Sequence, residues 1–406
     1  MWVEEYRDKN NKKKYRFYEK YKDPYTNKWR RVSVVLNKNT KQTQKEAILQ
    51  LTEKIKIKQN EKPSNYKDIT LKRLIYAWFS FYKNISGTKE SWHNKINHFI
   101  NKIFKEIDGD TLAKNVDRKM IQDLMIKIVV EEDFTESYAR KIRFVINSSL
   151  EFAQKEYGLD NTKFLKDVIV PKKEFNKEKL ERQRNNYLEK EEMTRVLNVF
   201  DELISKEKRD KVKINLSIIK NICEIQALTG MRIGEVLALQ NDDVDIKNKT
   251  IDINGAIFYK KTDEGYGIKT TTKTVGSNRK ITVNDRALKI IRQLQLRNKQ
   301  FESWEKDYRN RGFIFTNRKG NPIHINSILN HLKTVELLLF KNQNRKLTTH
   351  TFRHTHISTL AEMDVPLKAI MERVGHVDER TTLRIYTHVT KNMRDRITNE
   401  LKNFSF

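Results

Sequence analysis

Near the middle of the chain lies the stretch Thr229-Gly230-Met231-Arg232-Ile233-Gly234-Glu235. Apolar residues precede and follow it at helical spacing, which predicts that Arg232 lies at the edge of a buried core. A buried and unpaired charge is very costly, so this guanidinium needs an anionic partner. The residues leave two partners open: an ion pair with Glu235, or a bound phosphate.

Periodicity on both sides of this stretch predicts the architecture of the C-terminal half. Helices are predicted before it, at 190–205 and 213–229, and helices return after it at 285–301 and 325–340. Between them are strand-like segments, at 244–246, 250–257, 267–274 and 279–283. Residues 187–406 are therefore predicted to form a mainly α domain with a small antiparallel sheet.

A basic segment occupies residues 268–280, on the last two of these strands. Turn chemistry at Gly276-Ser277-Asn278 predicts that Lys269, Lys273 and Arg279 project from a strand pair. A solvated sheet edge is one interpretation of such a basic hairpin. The other is a finger that places an ammonium group against a nucleic-acid backbone.

A histidine-rich segment follows in the last third of the chain. His350 and Arg353 are three residues apart, so both side chains can lie on one face of a helix start. His354 and His356 complete the segment and raise the question of a zinc site. No acidic residue lies between His350 and His354 as it does in metalloproteases, which argues against metal.

The last cluster contains Gly375-His376 and, ten residues later, Tyr386. Combined with the two arginines, these residues are what phosphoryl transfer without a metal would require. Two guanidiniums can bind the oxygens of a phosphodiester bidentately and stabilise a pentacoordinate transition state. A phenol with an ordinary pKa of about 10 is a weak nucleophile, so Tyr386 would need that positive field and a nearby base. The leaving hydroxyl would take a proton from a lysine or a histidine.

Composition favours a polyanionic partner. The 406 residues include 82 Lys and Arg against 53 Asp and Glu, a formal net charge of +29, which makes nucleic acid the first candidate. No run approaches the roughly 18 apolar residues of a membrane span, and the charged start lacks the apolar stretch of a signal peptide. The single cysteine, Cys223, excludes an intrachain disulfide framework, so a soluble protein of a reducing compartment is expected.

The first residues predict a small sheet with a helical lid. Alternation at 2–6, 14–22 and 28–36 is typical of three strands joined by turns. A capping-box pattern at 43–46 then predicts a helix whose apolar residues, Ile48, Leu51 and Ile55, cover one face of the sheet. The opposite face would carry basic and aromatic side chains: Arg16, Tyr18, Lys20, Trp29 and Arg31. That face suits a DNA groove, although a merely solvated basic face is the open alternative.

Helical periodicity resumes at Thr70 and continues through segments at 95–107, 118–130 and 135–157. This pattern predicts an all-α unit whose apolar stripes form its own core. The polar and basic residues that follow it, 161–186, are typical of a linker between domains.

Six residues, in their order along the chain, resemble the active-site set of the tyrosine recombinase (phage integrase) family: Arg232, Lys273, His350, Arg353, His376 and Tyr386. The strings Thr-Gly-Met-Arg-Ile-Gly-Glu-Val, His-Thr-Phe-Arg-His-Thr and Tyr-Thr-His are similar to the family's as well. The resemblance implies that Tyr386 forms a 3′-phosphotyrosine bond while Arg232 and Arg353 bind the scissile phosphate. It implies that His350 assists as a base or phosphate ligand and that His376 hydrogen-bonds the phosphate.

The same resemblance implies that Lys273 is the general acid for the leaving 5′-hydroxyl. Lys273 is preferred to Lys269 because Arg279, six residues after Lys273, fits the family's hairpin pattern. Glu235 would orient the site near Arg232.

The resemblance extends over the whole chain and implies a multidomain α+β protein. Residues 1–62 would bind arm-type DNA, 66–160 would bind the core site, 161–186 would link them to the rest, and 187–406 would be catalytic. The implied activity is site-specific recombination that integrates or excises a prophage or another mobile element. A type IB topoisomerase-like relaxing enzyme and a non-catalytic DNA-binding regulator are the alternatives.

The implied partners are double-stranded DNA with attachment core and arm sites and a homotetramer on that DNA. An excisionase and a host DNA-bending protein are candidate accessory factors. No cofactor or metal is expected, because a tyrosyl ester conserves the energy of the broken bond. The expected location is the cytoplasm of a bacterial host, on the nucleoid and not at a membrane. A tail with Ile397, Leu401 and Phe404 at helical spacing would dock in cis or on a neighbouring subunit, and the sequence leaves both open.

Overall fold

The computed structural model describes residues 1–8, 11–22, 28–60, 68–159, 162–174, 186–271, 278–341, 345–376, 382–383 and 398. The chain divides into two compact units, Met1–Phe175 and Asn176–Phe406. Both contain helices and an antiparallel sheet, so the predicted mixed α and β fold is confirmed. Within the described part of the chain, no helix is both long enough and apolar enough to cross a membrane.

The first unit begins with a three-stranded antiparallel sheet and a helix. The elements are β1 (Trp2–Arg7), β2 (Lys13–Lys22), β3 (Trp29–Leu36) and α1 (Lys41–Asn60), with β2 in the centre of the sheet. Phe17 and Val34 on one sheet face pack with Ala47 and Leu51 of α1, which forms the predicted lid.

Two details of that helix differ from the prediction. Ile48 was expected to face the sheet but is 48% exposed, because Ala47 and Leu51 occupy the inward face instead. The helix also begins earlier than the predicted box at residue 43. Thr40 and Thr43 cap its start reciprocally, since each backbone N–H donates to the other's hydroxyl oxygen.

The rest of the first unit is helical, as predicted. Its helices are α2 (Leu71–Ile85), α3 (Glu90–Glu106), α4 (Arg118–Ile126) and α5 (Glu136–Tyr157), and α4 continues into a π-helical turn at Lys127–Glu131. Their apolar faces share one core. Leu165, Val168 and Val170 are buried in the same core, although they belong to the stretch predicted as a linker. That part of the stretch therefore packs as structure.

The second unit surrounds a small sheet with helices. Its helices are α6 (Lys190–Lys206), α7 (Asp210–Thr229), α8 (Ile233–Leu237), α9 (Asp285–Trp304), α10 (Ile325–Leu339), α11 (Thr349–Glu362) and α12 (Leu367–Val374). Its strands are β4 (Val244–Asp245), β5 (Thr250–Ile253), β6 (Gly255–Thr262), β7 (Gly265–Thr271) and β8 (Arg279–Thr282). One core of aliphatic and phenylalanine side chains joins most of these helices to the β4-β5-β8 sheet, whereas α12 packs with α11 in a smaller apolar cluster.

The predicted basic hairpin is wrong as a strand pair. Strand β7 pairs with β6, whereas β8 pairs with β5 in a different sheet. Residues 272–277, including Lys273 and most of the predicted turn, lie outside the described residues. Turn chemistry alone suggested the pairing of β7 with β8, but β8 joins the β4-β5-β8 sheet, where Ile281 and Ile251 are paired and buried in the core.

Candidate active site

Arg232 is placed by an abrupt turn between two helices. Helix α7 ends at Thr229, and its C-cap Gly230 adopts a left-handed conformation with φ of 70°. Arg232 is the N-cap of α8. A side chain at position 230 would be strained there, and its Cβ would lie 2.6 Å from Cδ2 of His356. The Thr-Gly-Met-Arg sequence thus turns the chain so that the arginine leaves the core at a helix start.

The Arg232 guanidinium has two fixed contacts. Its Nη1 donates to Oε1 of Glu235 over 2.8 Å, and its Nη2 donates to the carbonyl oxygen of Gly375 over 2.6 Å. Glu235 also accepts a hydrogen bond from the Arg232 backbone. The ion pair that the sequence allowed is therefore present. The Arg232 side chain is still 36% exposed, so it can face a ligand as well.

Arg353 is almost fully buried, with 2% of its surface exposed. Its Nη1 and Nη2 donate to the carbonyl oxygens of Gly230 and Val374, each over 2.6 Å. Both carbonyls lie at helix C-termini, where the partial negative charge of the helix dipole favours a cation. Burial and the nearby positive charge of Arg232 lower the pKa of Arg353 to about 9.

Helix α11 carries Arg353 and is buried on nearly all sides although its sequence is polar. Several of its polar side chains form hydrogen bonds with neighbouring segments. The hydroxyl of Thr355 accepts from the Leu188 backbone, and the hydroxyl of Thr351 donates to the Asn186 side chain. Hydrogen bonding thus offsets the cost of burying these groups and fixes the helix.

Arg279 is a site residue that the sequence reasoning placed on an exposed hairpin. Its side chain is only 8% exposed, and its Nη2 donates to Oε2 of Glu235 over 2.9 Å. Its Nε donates to the carbonyl oxygen of Arg373 over 2.7 Å. Gly375, with φ of 68°, leaves room for it, because a Cβ there would lie 2.8 Å from Nη1 of Arg279.

Glu235 is thus the carboxylate shared by two arginines. Burial alone would raise its pKa, but the hydrogen bonds and charges of Arg279 and Arg232 outweigh burial, so the pKa is lowered. One buried carboxylate faces the guanidiniums of Arg232 and Arg279, and Arg353 adds a third positive charge nearby. The net positive charge of this cluster suits a phosphate group.

Two predicted histidines lie at this cluster. Partial burial and the charges of Arg353 and Arg232 lower the pKa of His350, a residue that is still exposed to solvent. Burial and the charges of Arg353 and Arg232 lower the pKa of His376 to about 3. Nδ1 of His376 is 2.7 Å from the hydroxyl oxygen of Thr382. Both shifts favour the neutral form of the imidazole.

The other histidines of the segment have structural contacts. Nδ1 of His354 lies 3.1 Å from the carbonyl oxygen of Asn186. Nδ1 of His356 bonds to the Ala227 carbonyl, while its Nε2 accepts from Nε of Arg373. No group of three or more potential metal ligands is found in the part of the chain that the structure describes.

The two predicted lysines have different outcomes. Nζ of Lys269 contacts both carboxylate oxygens of Asp243 at 2.7 Å. Lys273 and the predicted nucleophile Tyr386 lie outside the described residues, as do the apolar residues of the predicted tail. The structure therefore brings together Arg232, Glu235, His350, Arg353 and His376, and adds Arg279 to them.

A second candidate site is the open face of the N-terminal sheet. The strand register places Arg16, Tyr18 and Lys20 on one face of β2. Arg31 and Trp29 of β3, which pair with Lys20 and Lys22, lie on the same face. This basic and aromatic set, which we call the basic sheet face, is on the side opposite the helix.

Aromatic rings organise the basic sheet face. Arg31 lies over the ring of Tyr18, with 5.3 Å between the guanidinium carbon and the ring centroid, and Trp2 stacks on the same ring at 5.2 Å. Tyr18 is consequently only 7% exposed and supports its neighbours, whereas Trp29 is 69% exposed. Sequence reasoning did not include Trp2, although its alternation with Tyr6 placed it on this face.

Comparison with known proteins assigns the chain to a class. The phage integrase family profile matches residues 186–393. The integrase of Staphylococcus phage L54a is 38% identical over 88% of this chain and 100% of its own length. The prophage ps2 probable integrase of Lactococcus lactis is 34% identical over 98% of each chain.

A solved structure of the Tn1549 transposon integrase, in complex with transposon right end DNA, shares the fold. The TM-score is 0.59 at 17% identity, over 82% of this chain and 100% of that chain. The fold, the arginine cluster and these relatives define the class, and the chain belongs to the phage integrase family of tyrosine site-specific recombinases. The resemblance noted from the sequence is confirmed.

Proposed function

We propose that this recombinase integrates and excises a prophage or similar mobile element by cutting and rejoining double-stranded DNA. The observation that carries the proposal is the convergence of Arg232 and Arg353 beside Glu235, which Arg232 shares with Arg279, and beside two histidines whose pKa values are lowered. Backbone carbonyls hold both guanidiniums before any ligand binds. Such preorganised charge stabilises a transition state without the cost of reorganisation.

In the proposed cleavage step, the phenolic oxygen of Tyr386 attacks the scissile phosphorus. The bond from phosphorus to the 5′-oxygen breaks, and a 3′-phosphotyrosine ester forms. Arg232 and Arg353 stabilise the extra negative charge on the phosphoryl oxygens. Lys273 donates a proton to the leaving 5′-oxygen, and the reverse step rejoins the strand.

The histidines have complementary roles in this proposal. The lowered pKa favours the neutral form of His350, which can accept the phenolic proton of Tyr386 or hydrogen-bond the phosphate. When the hydroxyl of Thr382 donates to Nδ1 of His376, the proton of His376 is on Nε2. That N–H can then donate to a phosphoryl oxygen. Glu235 keeps Arg232 oriented through its ion pair.

The regions of the chain would have separate roles in DNA binding and catalysis. We assign residues 1–62 to arm-type sites, 66–160 to the core site, and 187–406 to catalysis, with a linker within 161–186. Arg16, Lys20, Trp29 and Arg31 of the basic sheet face would contact the arm DNA, with Tyr18 beneath Arg31. The net charge of +29 supports an extensive backbone contact.

Recombination between two duplexes breaks four strands, and each chain supplies one Tyr386. We therefore propose a homotetramer on DNA, with an excisionase and a host DNA-bending protein as direction-setting factors. The proposed location is the cytoplasm of a bacterial host, on the nucleoid.

Covalent trapping tests this function. The purified chain is incubated with nicked duplexes that span the ends of the element flanking its gene, and denaturing gels detect a protein–DNA adduct. Wild type should form the adduct at a defined position. Tyr386→Phe should form none and should bind the same DNA with unchanged affinity, because the substitution removes only the hydroxyl.

The same assay separates the alternatives. A topoisomerase-like enzyme would form the adduct on duplexes of any sequence, whereas a recombinase would form it only at its own site. A regulator would bind DNA without any adduct. An adduct that persists in Tyr386→Phe would contradict the assignment of the nucleophile.

A further inference from the structure

A buried ion pair joins the β6–β7 hairpin to the turn that follows the arginine-bearing helix α8. Nζ of Lys269, on β7, contacts both carboxylate oxygens of Asp243 at 2.7 Å. The Asp243 side chain is 7% exposed and that of Lys269 is 19% exposed. Since burying two charges requires full compensation, the surroundings of the pair should satisfy it.

The surroundings do satisfy Asp243. Its Oδ2 accepts from the backbone N–H of Gln240 over 2.7 Å, and its Oδ1 accepts from Nδ2 of Asn254 over 3.0 Å. Gly255 provides space for the lysine, because a Cβ at that position would lie 2.7 Å from both Cγ and Cε of Lys269. The space between Gly255 and Asp243, which we call the lysine slot, is therefore shaped for the Lys269 side chain.

The two residues of the ion pair are close in sequence to two parts of the active site. Asp243 follows helix α8, and Lys269 precedes Lys273. Asp243 ends a short 3₁₀ turn, Asn241–Asp243, that begins four residues after helix α8 ends. Helix α8 carries Glu235 and begins at Arg232. On the other side of the pair, β7 ends at Thr271, two residues before Lys273.

A second set of contacts fixes the far end of β7. Arg311 donates to the carbonyl oxygens of Tyr266 and Gly267, and Asn321 accepts from the Tyr266 backbone over 2.7 Å. The strand is therefore held at its start by Arg311 and Asn321, and near its end by Lys269.

We propose that Lys269 and Asp243 are positioning residues for the general acid. The buried pair fixes the hairpin against the turn after α8, and so fixes the point from which the chain continues to Lys273. This inference rests on the proposed role of Lys273. With its ammonium bonded to both Asp243 oxygens, Lys269 is a structural anchor and not the proton donor.

The test uses two DNA duplexes that differ in one atom. In one, the scissile phosphate has its ordinary bridging 5′-oxygen; in the other, sulfur replaces that oxygen. A thiolate leaves without protonation because its conjugate acid is far more acidic than an alcohol, so only the oxygen substrate needs the general acid. Single-turnover cleavage is measured on both, on a site that wild type cleaves.

Lys269→Met should cleave the oxygen substrate about 10- to 100-fold more slowly, as expected for a misplacement of about 1 Å. Cleavage of the sulfur substrate and DNA affinity should stay close to wild type. Lys273→Met should show the same selectivity with a larger loss. Lys261→Met, which removes an exposed lysine on β6 of the same hairpin, should leave both substrates unaffected.

Asp243→Asn separates positioning from catalysis by Lys269 itself. The amide can still accept from Gln240, but the ion pair is lost. Positioning predicts slower cleavage of the oxygen substrate alone, whereas a catalytic Lys269 would be freed and would keep its activity. The double variant Lys269→Met/Asp243→Asn leaves no unpaired charge and should show the same selective loss with a melting temperature near wild type.

An equal loss on both substrates in the double variant would overturn the proposal, as would full activity of Lys269→Met on the oxygen substrate. Absence of an adduct from wild type on either duplex would instead contradict the proposed function.

Discussion

The arginine cluster of the second unit and the basic sheet face of the first unit use the same side chain in opposite surroundings. Arg353 is 2% exposed and is held by two backbone carbonyls. Arg31 is exposed and lies over the ring of Tyr18, 5.3 Å from the ring centroid. The two carbonyls fix the orientation of the Arg353 guanidinium, because each accepts from one of its Nη atoms. The ring beneath Arg31 leaves the N–H groups of that guanidinium directed to solvent.

The difference separates two ways of attracting a phosphate. A buried guanidinium with fixed direction stabilises charge that develops at one point, which is the requirement of catalysis. An exposed guanidinium on an aromatic support contributes to binding over a range of geometries, and salt screens it. We therefore expect the two regions to respond differently to the same substitution.

The largest difference is expected for Arg→Lys. In Arg353→Lys the positive charge remains, but one ammonium cannot reach the carbonyls of Gly230 and Val374 and a phosphate together. Single-turnover cleavage should fall on the order of 10²- to 10³-fold, as for loss of one preorganised donor. Affinity for the core DNA should change little.

Arg31→Lys is the matched control, because it makes the same chemical change on the basic sheet face. Cleavage should remain near wild type, and arm binding should weaken only slightly. Melting temperatures of both variants identify any unfolding. If Arg353→Lys cleaved within tenfold of wild type, fixed geometry would not be what distinguishes the cluster.

The sequence predicted the local part of the site and missed the part that depends on strand pairing. Arg232 and Glu235 are three residues apart, so their ion pair follows from helix geometry alone. Arg279 contacts Glu235 only because β8 pairs with β5. Nothing local to residues 268–280 encodes that pairing, and the turn residues there suggested a different one.

The fold shows the same division. Alternation and helical periodicity predicted the three N-terminal strands and the helices, because each pattern reflects one buried face. The prediction of which α1 residues face the sheet was wrong by one residue. Ile48 and Ala47 both fit the spacing to Leu51, and tight packing against the sheet selects the smaller side chain. Sequence periodicity does not report such steric selection.

Acid should destabilise the second unit through its buried histidines. Burial and the charge of Arg373 lower the pKa of His356 to about 3, and that of His376 is also about 3. Because these folded values lie below the unfolded value of about 6.5, the unfolded chain binds more protons, and stability falls as pH drops below about 6.5. Between pH 7 and 5 the loss is on the order of 2 kcal/mol for His356 alone.

Hydrogen exchange at pH 7 and 5, corrected for intrinsic rates, measures this loss by region. Amides of α11 should lose protection, while those of the N-terminal sheet, which contains no histidine, should not. His356→Gln retains a donor for Ala227 and an acceptor for Arg373 without a titrating group. It should reduce the response and leave the part that is due to His376. Equal loss in both regions would indicate a general effect of acid.

The smallest effect is expected on the basic sheet face. Arg31→Ala removes the cation above Tyr18 and should reduce arm-DNA affinity, with the log–log salt slope falling by about one. Lys45→Ala removes an exposed lysine of α1 and is the control for net charge alone. If both variants lowered the slope equally, the +29 net charge would explain arm binding without any specific surface. A loss confined to Arg31→Ala, with cleavage of the core site intact, would instead separate a region that binds through its exposed face from one that catalyses through its buried arginines.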